Sequence, residues 1–349
     1  MLTRRREMRI RWLMILALGV LLLQLGAARA QPLPRSVTIG ANPPGTVFYA
    51  LASGLAKVVS GATAVQMTVQ PYTGTSTLLP LVNSGELDFG LIGSADLALA
   101  YQGPHRLKVG GRNPFPHTPN VRLVMRGSPL LAALLVRKNS PIKTIHEVRG
   151  KRVTGEYPAH LVVWYIVLAQ LVSAGLTWDD VKVVAVPAVN EGVDALVQGR
   201  ADVAAHALGA AKVREADAAV GVRHLSMDCS PQGEERLRKG LPGYYPRWVK
   251  AGEMVAIVED TCVSAYDTYL LTHRAGAQQV VTTILGAIWD NVDKLPPIHP
   301  QFKEWTRERA VSPDVTIPYH PAAIGFYRER GLWTARMEEA QKKLLALNP

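Results

Sequence analysis

Hydrophobic positions in the first part of the chain alternate between the spacing of strands and the spacing of helices. Short β-branched runs predict strands at 37–40, 65–69 and 89–92, and apolar residues at helical spacing predict helices at 47–60 and 76–85. Gly61 is expected to end the first helix as its C-cap, and Ser76 to begin the second as its N-cap. The pattern therefore predicts a β-α-β-α-β unit.

The same order of elements returns from Lys151 onward. Strands are predicted at 152–155, 181–186 and 203–205, with helices at 160–173 and 190–199. Steps of 21, 24 and 3 residues separate Gly40, Gly61, Gly85 and Asp88, and steps of 20, 24 and 3 separate Gly155, Gly175, Gly199 and Asp202. Two such halves, each with parallel crossovers, predict two similar α/β lobes.

Ligands of parallel α/β sheets bind beyond the carboxyl ends of the strands, where loops lead into helices. The loops 42–46, 73–76, 155–160 and 188–191 are therefore expected to face one cleft. Helix N-termini present free N–H groups and a positive dipole end, which suits a carboxylate or phosphate. Apolar segments at 130–136 and 263–272 are predicted to cross between the lobes and to act as a hinge.

Polar and aromatic residues on these loops and crossing segments are the candidates for ligand contact. They are Asn42, Thr46, Tyr49, Gly74, Thr75, Ser76, Asp96, Glu156, His160, Asn190, His206, Tyr266 and Asp267. Asp96 suits a ligand ammonium group. Structural alternatives stay open: a helix cap (Ser76, Asn190), a core residue (Tyr49), a turn residue (Asp96) or a buried structural histidine (His160, His206).

The first thirty residues have the pattern of a secretory signal peptide. A basic start between Arg4 and Arg11 precedes an apolar run at 12–26 and the small residues Ala28 and Ala30. The run is shorter than the about 20 residues that span a bilayer. We therefore predict cleavage after Ala30 and a periplasmic location, with an uncleaved membrane anchor as the alternative.

Composition and charge indicate a globular protein and argue against a nucleic-acid binder. The chain of 349 residues is 48% hydrophobic and carries a formal net charge of +11. The signal segment holds six Arg and one Glu, so it contributes +5 and leaves the mature chain at +6. These basic residues are scattered, without the stripe and motif of a nucleic-acid interface. Their mild positive field favours anionic ligands.

The motifs of the common enzyme and metal-site classes are missing from the sequence. There is no G-x-S-x-G elbow, no H-E-x-x-H, no P-loop and no Cys/His cluster with metal-ligand spacing. We therefore expect neither catalysis nor a metal or cofactor. Cys229 and Cys262 are able to pair in an oxidising compartment, and the sequence leaves that pairing open.

Several segments, taken in order, resemble the TAXI family of solute receptors that serve TRAP transporters. They are 40–49 (GANPPGTVFY), 74–76 (GTS), 84–88 (SGELD), 94–96 (SAD), 142–153 (IKTIHEVRGKRV), 207–215 (ALGAAKVRE) and 318–324 (PYHPAAI). The resemblance implies a type II periplasmic-binding-protein fold: two α/β lobes, each a mostly parallel sheet flanked by helices, with a two-strand hinge. After the signal peptide at 1–30, we place lobe I at 31–130 plus 262–349 and lobe II at 131–261.

The resemblance also implies a partner and a ligand class. The partner is a sodium-coupled TRAP-type integral membrane permease, and the ligand is a dicarboxylate, a keto acid or an amino-acid-like molecule. We expect a monomer. One departure is the loop 155–160 (GEYPAH), which lacks the family's Gly-Ser-Gly type run and carries Glu156, which would repel an anion. Arg126 is the nearest candidate for a ligand-clamping arginine, although a surface role is favoured. An ABC-type receptor and a ligand sensor of the same fold remain alternatives.

Overall fold

Strands and helices alternate along the chain in the predicted order. The computed structural model describes residues 32–241 and 243–348. Its strands are β1 (Ser36–Ala41), β2 (Gln66–Pro71), β3 (Phe89–Gly93), β4 (Val121–Arg137), β5 (Arg152–Glu156), β6 (Lys182–Val186), β7 (Ala204–Ala207), β8 (Val222–His224), β9 (Tyr245–Val249) and β10 (Thr261–His273). Its α-helices are α1 (Val47–Ala62), α2 (Thr75–Ser84), α3 (Ser94–Gln102), α4 (Val162–Ser173), α5 (Val189–Val197), α6 (Ala211–Val220), α7 (Pro231–Gly240), α8 (Gln278–Asp290), α9 (Pro321–Glu329) and α10 (Ala335–Leu345). Short 3-10 helices lie at Ile145–Val148, Trp178–Asp180, Val292–Lys294 and Pro300–Glu304.

Lobe I is a mostly parallel sheet built from the first half of the sequence pattern. β1 pairs in parallel with β2 along its whole length and with β3 at its carboxyl end, and the order of strands is β2-β1-β3-β10-β4. α1 is the first crossover, and it buries Leu51, Leu55 and Val59 on one side. That apolar stripe at helical spacing is what holds the helix on the sheet.

Lobe II repeats the arrangement with a more deeply buried helix. β5 pairs in parallel with β6, and a bridge from Val153 to Val203 links β5 to the strand β7. β7 and β9 then pair antiparallel with β4 and β10 respectively. In α4, every residue except Val172 is buried, which explains why its sequence is apolar on all sides.

Two long antiparallel strands, β4 and β10, run through both lobes and contain the predicted crossing segments. They pair from Val121 opposite His273 to Ala132 opposite Ser264. Near the middle, the Asp267 carboxylate accepts hydrogen bonds from Arg126 Nε and Arg309 Nη2, each at 2.7 Å. Arg126 is therefore a partly buried ion-pair partner on the hinge, and the surface role favoured from the sequence is wrong.

Three helix ends differ from the sequence-based expectation. Gly74, not Ser76, caps α2, and the Thr77 hydroxyl accepts from the Gly74 N–H at 3.3 Å in place of a cap side chain. α5 starts directly after Ala188, so Asn190 lies in its first turn. α1 continues through Gly61, whose backbone is not in the left-handed region that favours a glycine stop.

Cys229 and Cys262 form a disulfide, which settles the pairing that the sequence left open. The bond joins the start of β10 to the segment before α7. Hydrogen bonds reinforce this junction: the Cys262 N–H donates to Ser226 Oγ at 3.0 Å, and the Met227 N–H donates to the Cys262 carbonyl at 2.9 Å.

Each helix in the described part of the chain is too short or too polar to cross a bilayer. The predicted signal peptide and its cleavage site after Ala30 lie outside the described residues. The residue boundaries of lobes I and II stay a prediction.

Candidate functional site

The structure brings the four predicted loops together, and polar contacts join them across the two lobes. Asn42 Nδ2 of lobe I lies 3.0 Å from His160 Nε2 of lobe II. The Leu161 N–H donates to Ser76 Oγ at 3.3 Å, and Asn190 Nδ2 donates to the Pro44 carbonyl at 3.1 Å. Each of these contacts joins a residue of lobe I to a residue of lobe II. Because such contacts form only when the lobes lie against each other, the structure is a closed form.

The closest approach between the lobes is made by backbone. An added Cβ at Gly74 would lie 2.0 Å from the Ala159 carbonyl oxygen and 2.7 Å from His160 Cα. A second backbone contact is the hydrogen bond from the Lys212 N–H to the Gly45 carbonyl at 3.1 Å. Gly45 has a φ of +92°, a conformation that glycine adopts without strain. Glycines in lobe I therefore set how tightly the lobes close.

A small cavity, here called the inner cavity, lies where these loops meet and has a volume of about 30 Å³. That is room for about one water molecule. It is lined by Asn42, Thr46, Val47, Phe48, Leu130, His160, Val162, Val163, Ile166, Val189, His206, Ala207 and Tyr266. The buried atoms Asn42 Oδ1 and His160 Nδ1 have no hydrogen-bond partner among the described residues. Buried polar atoms are normally paired, so these two are available to a ligand or to ordered water.

The histidines of the inner cavity are neutral at physiological pH. Burial, together with a smaller contribution from the neighbouring His206, lowers the pKa of His160 to about 3. Burial also lowers the pKa of His206 to about 4, with the backbone of Ala207 opposing the change. His206 Nε2 lies 3.2 Å from Asn190 Oδ1, so the imidazole orients a side chain of the next loop. The inner cavity therefore offers neutral hydrogen-bonding groups and helix N-termini.

A larger cavity of about 230 Å³, here called the side cavity, lies between the lobes beside α3. Most of its lining is aliphatic. Lobe I contributes Ala95, Asp96, Ala98, Leu99, Gln102, Leu107, Val109, Val315, Thr316 and Leu344, and lobe II contributes Tyr165, Leu241, Gly243 and Tyr244. Tyr244 packs edge-on against Tyr266 with ring centroids 5.3 Å apart, so the aromatic pair lies between the two cavities.

Comparison with known proteins identifies the family. The model of the NMT1-like family matches residues 39–331, which is most of the chain. The chain belongs to the NMT1-like family.

Solved structures place the NMT1-like chain in the periplasmic-binding-protein fold. A protein described as a periplasmic transporter is 13% identical, with a TM-score of 0.55, over 91% of this chain and 99% of the other. The periplasmic binding protein BugD is 10% identical, with a TM-score of 0.55, over 90% and 98%. The alkanesulfonate-binding protein SsuA from Xanthomonas axonopodis pv. citri is 15% identical over 88% and 98%, with a TM-score of 0.48. The two similarities with a TM-score of 0.55 show the two-lobed fold of periplasmic binding proteins, and the finer resemblance to TAXI receptors stays a prediction.

The remaining candidates of the NMT1-like chain divide between the cleft and its surroundings. Thr75 is buried next to Asp96, whereas Tyr49 is half-buried on α1 and lines neither cavity. Glu156 is exposed at the end of β5 with a φ of +66°, so its charge lies away from both cavities. Asp267 faces Arg126 and Arg309, which already hold its carboxylate.

Most of the residues that line the two cavities are not among the candidates taken from the sequence, and four of them illustrate why. Phe48 and Leu130 line the inner cavity, and Tyr165 and Tyr244 line the side cavity. Phe48 and Tyr165 lie on helices with many apolar residues, and helical spacing alone does not distinguish a residue that packs in the core from one that lines the cleft. Tyr244 follows α7 in a segment without periodicity, so no sequence signal pointed to it.

The buried histidines are expected to destabilise the protein in acid. The pKa of His206 is about 4 in the folded protein and 6.5 in the unfolded chain, so between these values the unfolded chain binds a proton that the folded protein does not. The stability that the neutral imidazole contributes above pH 6.5 is therefore lost as the pH falls towards 4. Asp96, whose pKa is raised to about 8, makes the folded protein more stable as the pH falls. Comparing the wild type with His206→Gln cancels this contribution, because both proteins contain Asp96. As the pH falls from 6.5 to about 4.5, the unfolding free energy of the wild type should decrease by about 2–3 kcal/mol relative to that of His206→Gln.

Urea unfolding followed across this pH range measures the shift. The exposed His105 provides a matched control, because His105→Gln should follow the wild type at every pH. Parallel curves for the wild type and His206→Gln would contradict the assignment of a buried neutral imidazole.

Proposed function

We propose that this NMT1-like protein is a periplasmic receptor that captures a small organic anion between its lobes and delivers it to a TRAP-type secondary transporter. The observation that carries the proposal is the meeting of four helix-initiating loops, two from each lobe, at the cleft between the lobes. A hinge of two continuous strands with polar contacts across the cleft is the arrangement of a receptor that closes round its ligand.

The electrostatics of the cleft favour an anion of modest charge. α1, α2, α4 and α5 begin at the four loops, and helix N-termini attract negative charge. Asn42 and the two neutral histidines add orientable hydrogen-bonding groups without a fixed charge. By this charge argument, the ligand classes that we propose are dicarboxylates, keto acids and amino-acid-like molecules.

The partner follows from the sequence resemblance to TAXI receptors and is part of the proposal. A sodium-coupled permease would give uptake that depends on a sodium gradient and not on ATP. Reconstituted uptake that requires ATP hydrolysis would favour the ABC-type alternative. A receptor that binds ligand but supports no uptake would favour a sensor.

Ligand binding by the chain from Gln31 onward is the direct test. We expect a rise in melting temperature with at least one carboxylate from a panel of dicarboxylates, keto acids and amino acids. At a ligand concentration of 100 times Kd the stabilisation is about 2.7 kcal/mol. A panel without any response would contradict the anion proposal.

A pair of serine variants on one helix ties the response to the cleft. Ser76→Ala removes the acceptor of the interlobe bond from Leu161, so it should weaken binding by about threefold to tenfold. Ser84→Ala, at the exposed far end of α2, should bind as the wild type does. Equal affinities for the two variants would argue that the ligand binds elsewhere.

A further inference from the structure

Asp96 is a buried acid whose carboxyl group accepts no hydrogen bond of normal geometry from the described residues, although the Thr75 hydroxyl is close enough to affect its pKa. It lies in the first turn of α3, directly after β3, and is 1% exposed. Neither carboxyl oxygen has a hydrogen-bond partner among the described residues. Burial raises the pKa of Asp96 to about 8, and the Thr75 hydroxyl opposes this rise only in part. A buried carboxyl group without partners is costly, so its retention requires an explanation.

The side cavity next to Asp96 has the size and lining of a site for an apolar group. Its volume of about 230 Å³ exceeds the roughly 150 Å³ of a cavity that holds benzene. The Tyr244 hydroxyl, which lies on the lobe II side, is also buried and has no hydrogen-bond partner within 32–241 and 243–348. Unpaired polar groups on both lobes therefore border one largely aliphatic space, which is the usual composition of a small-molecule site.

No basic side chain competes for this acid in the described structure. Neither Asp96 oxygen has a hydrogen-bond partner among the described residues, so no lysine or arginine there is bonded to this acid. Arg126 and Arg309 bind Asp267, which is the next acid along the hinge. The acid is therefore free to pair with a cationic group of a ligand.

We propose that Asp96 binds the ammonium group of the transported solute, whose apolar body occupies the side cavity. The proposal rests on the proposed function and narrows its ligand class to amino-acid-like molecules with an apolar side group. The positive ammonium group favours the ionised carboxylate, so Asp96 releases to solvent the proton that burial retains when the amine binds, and three N–H donors then face two acceptor oxygens. The hydrocarbon part of the ligand replaces water along the aliphatic lining. Asp96 thereby distinguishes amines from simple organic acids of the same shape.

Three probes of nearly equal size and different charge test this assignment: benzylamine, benzyl alcohol and benzoate. Their dissociation constants are measured by ligand-observed NMR with the wild type, Asp96→Asn and Tyr244→Phe. We expect benzylamine to bind the wild type best. Asp96→Asn should weaken benzylamine by about tenfold or more and benzyl alcohol by less than about twofold. Tyr244→Phe, which keeps the ring packing, should weaken both probes by a similar and smaller factor.

Melting temperatures control for folding, and the possible outcomes distinguish a failure of this inference from a failure of the proposed function. Asp96→Asn removes a buried acid, so its melting temperature should not fall, and a lower affinity then reports on the site. Benzylamine that binds Asp96→Asn as well as the wild type, or no better than benzyl alcohol, would overturn the inference and assign Asp96 a structural role beside Thr75. If carboxylates bind in the panel while benzylamine is indifferent to Asp96, only this inference fails. If benzylamine binds through Asp96 while every carboxylate is silent, only the anion proposal fails.

Discussion

Replacing Gly74 with alanine is expected to weaken ligand binding at least a hundredfold while leaving both lobes folded. The new Cβ would lie 2.0 Å from the Ala159 carbonyl oxygen and 2.7 Å from the carbonyl carbon and from His160 Cα. These are backbone atoms of the opposite lobe, so no side-chain rotation relieves the overlap. Gly74 itself has an extended backbone with a φ of −177°, which alanine adopts without strain. The substitution therefore acts on closure and not on the loop itself.

The loss of affinity follows from the population of the closed form. If the lobes stop short of the observed contact, the interlobe bonds of Asn42 and Ser76 cannot form as they do here. A ligand that binds only the closed form loses affinity by the factor by which that form becomes rarer. A hundredfold loss corresponds to about 2.7 kcal/mol, which is less than the energy needed to hold two backbones in an overlap of this size.

Calorimetry with the strongest ligand of the panel measures the affinity, and small-angle scattering with saturating ligand measures whether the lobes close. Gly61→Ala is the matched control, because nothing lies within 4 Å of its Cβ and it belongs to α1. It should bind normally and be more stable by about 0.5–1 kcal/mol. Wild-type affinity in Gly74→Ala would mean that the ligand does not require this closed form.

Local pattern was sufficient to predict the two β-α-β-α-β halves. Gly85 and Gly199 each follow a helix, and each has a φ above +70°. The spacing of these glycines therefore predicted the end of a helix correctly in both halves. Gly61 misled the interpretation, because a glycine with ordinary backbone angles leaves the helix free to continue. The place of β10 between β3 and β4 could not be predicted, since it depends on pairing between strands far apart in sequence.

The candidate site was predictable where loops follow strands and not where side chains arrive from elsewhere. Asn42, His160 and His206 were found because their loops lie at the ends of strands or directly after them, and the structure brings these residues together. Tyr244 enters the side cavity only because α7 and β9 place it against Tyr266. The sequence placed Asp267 near the cleft, but adjacent strand residues face opposite sides, so Tyr266 and Asp267 cannot both line one cavity.

The Asp267 network links the hinge to both lobes. Its carboxylate holds Arg126 and Arg309, and the Tyr245 hydroxyl donates to it at 3.2 Å. Burial and the neighbouring Asp267 carboxylate raise the pKa of Tyr245 to about 12, which keeps the hydroxyl protonated as a donor. One acid therefore ties β4, β9 and the segment before α9 together at the point where the two lobes pivot.

Removing the disulfide should lower the unfolding free energy by about 4 kcal/mol without weakening ligand binding. Cys229 and Cys262 are 33 residues apart, and a crosslink over that distance restricts the unfolded chain by about this amount. Neither cysteine lines the inner or the side cavity, so closure should be preserved. The double variant Cys229→Ser/Cys262→Ser is compared with the wild type by urea unfolding, each with and without reductant.

The reductant separates the crosslink from the effect of the substitutions. Reduction should lower the stability of the wild type to nearly that of the double variant and should leave the variant unchanged. The bond joins Cys262, at the boundary with lobe I, to Cys229 before α7, and the chain between the two cysteines belongs to lobe II, so the unfolding of lobe II should respond most strongly. A wild type whose stability is insensitive to reductant, although its thiols become reactive, would contradict the view that this bond stabilises lobe II through the unfolded chain.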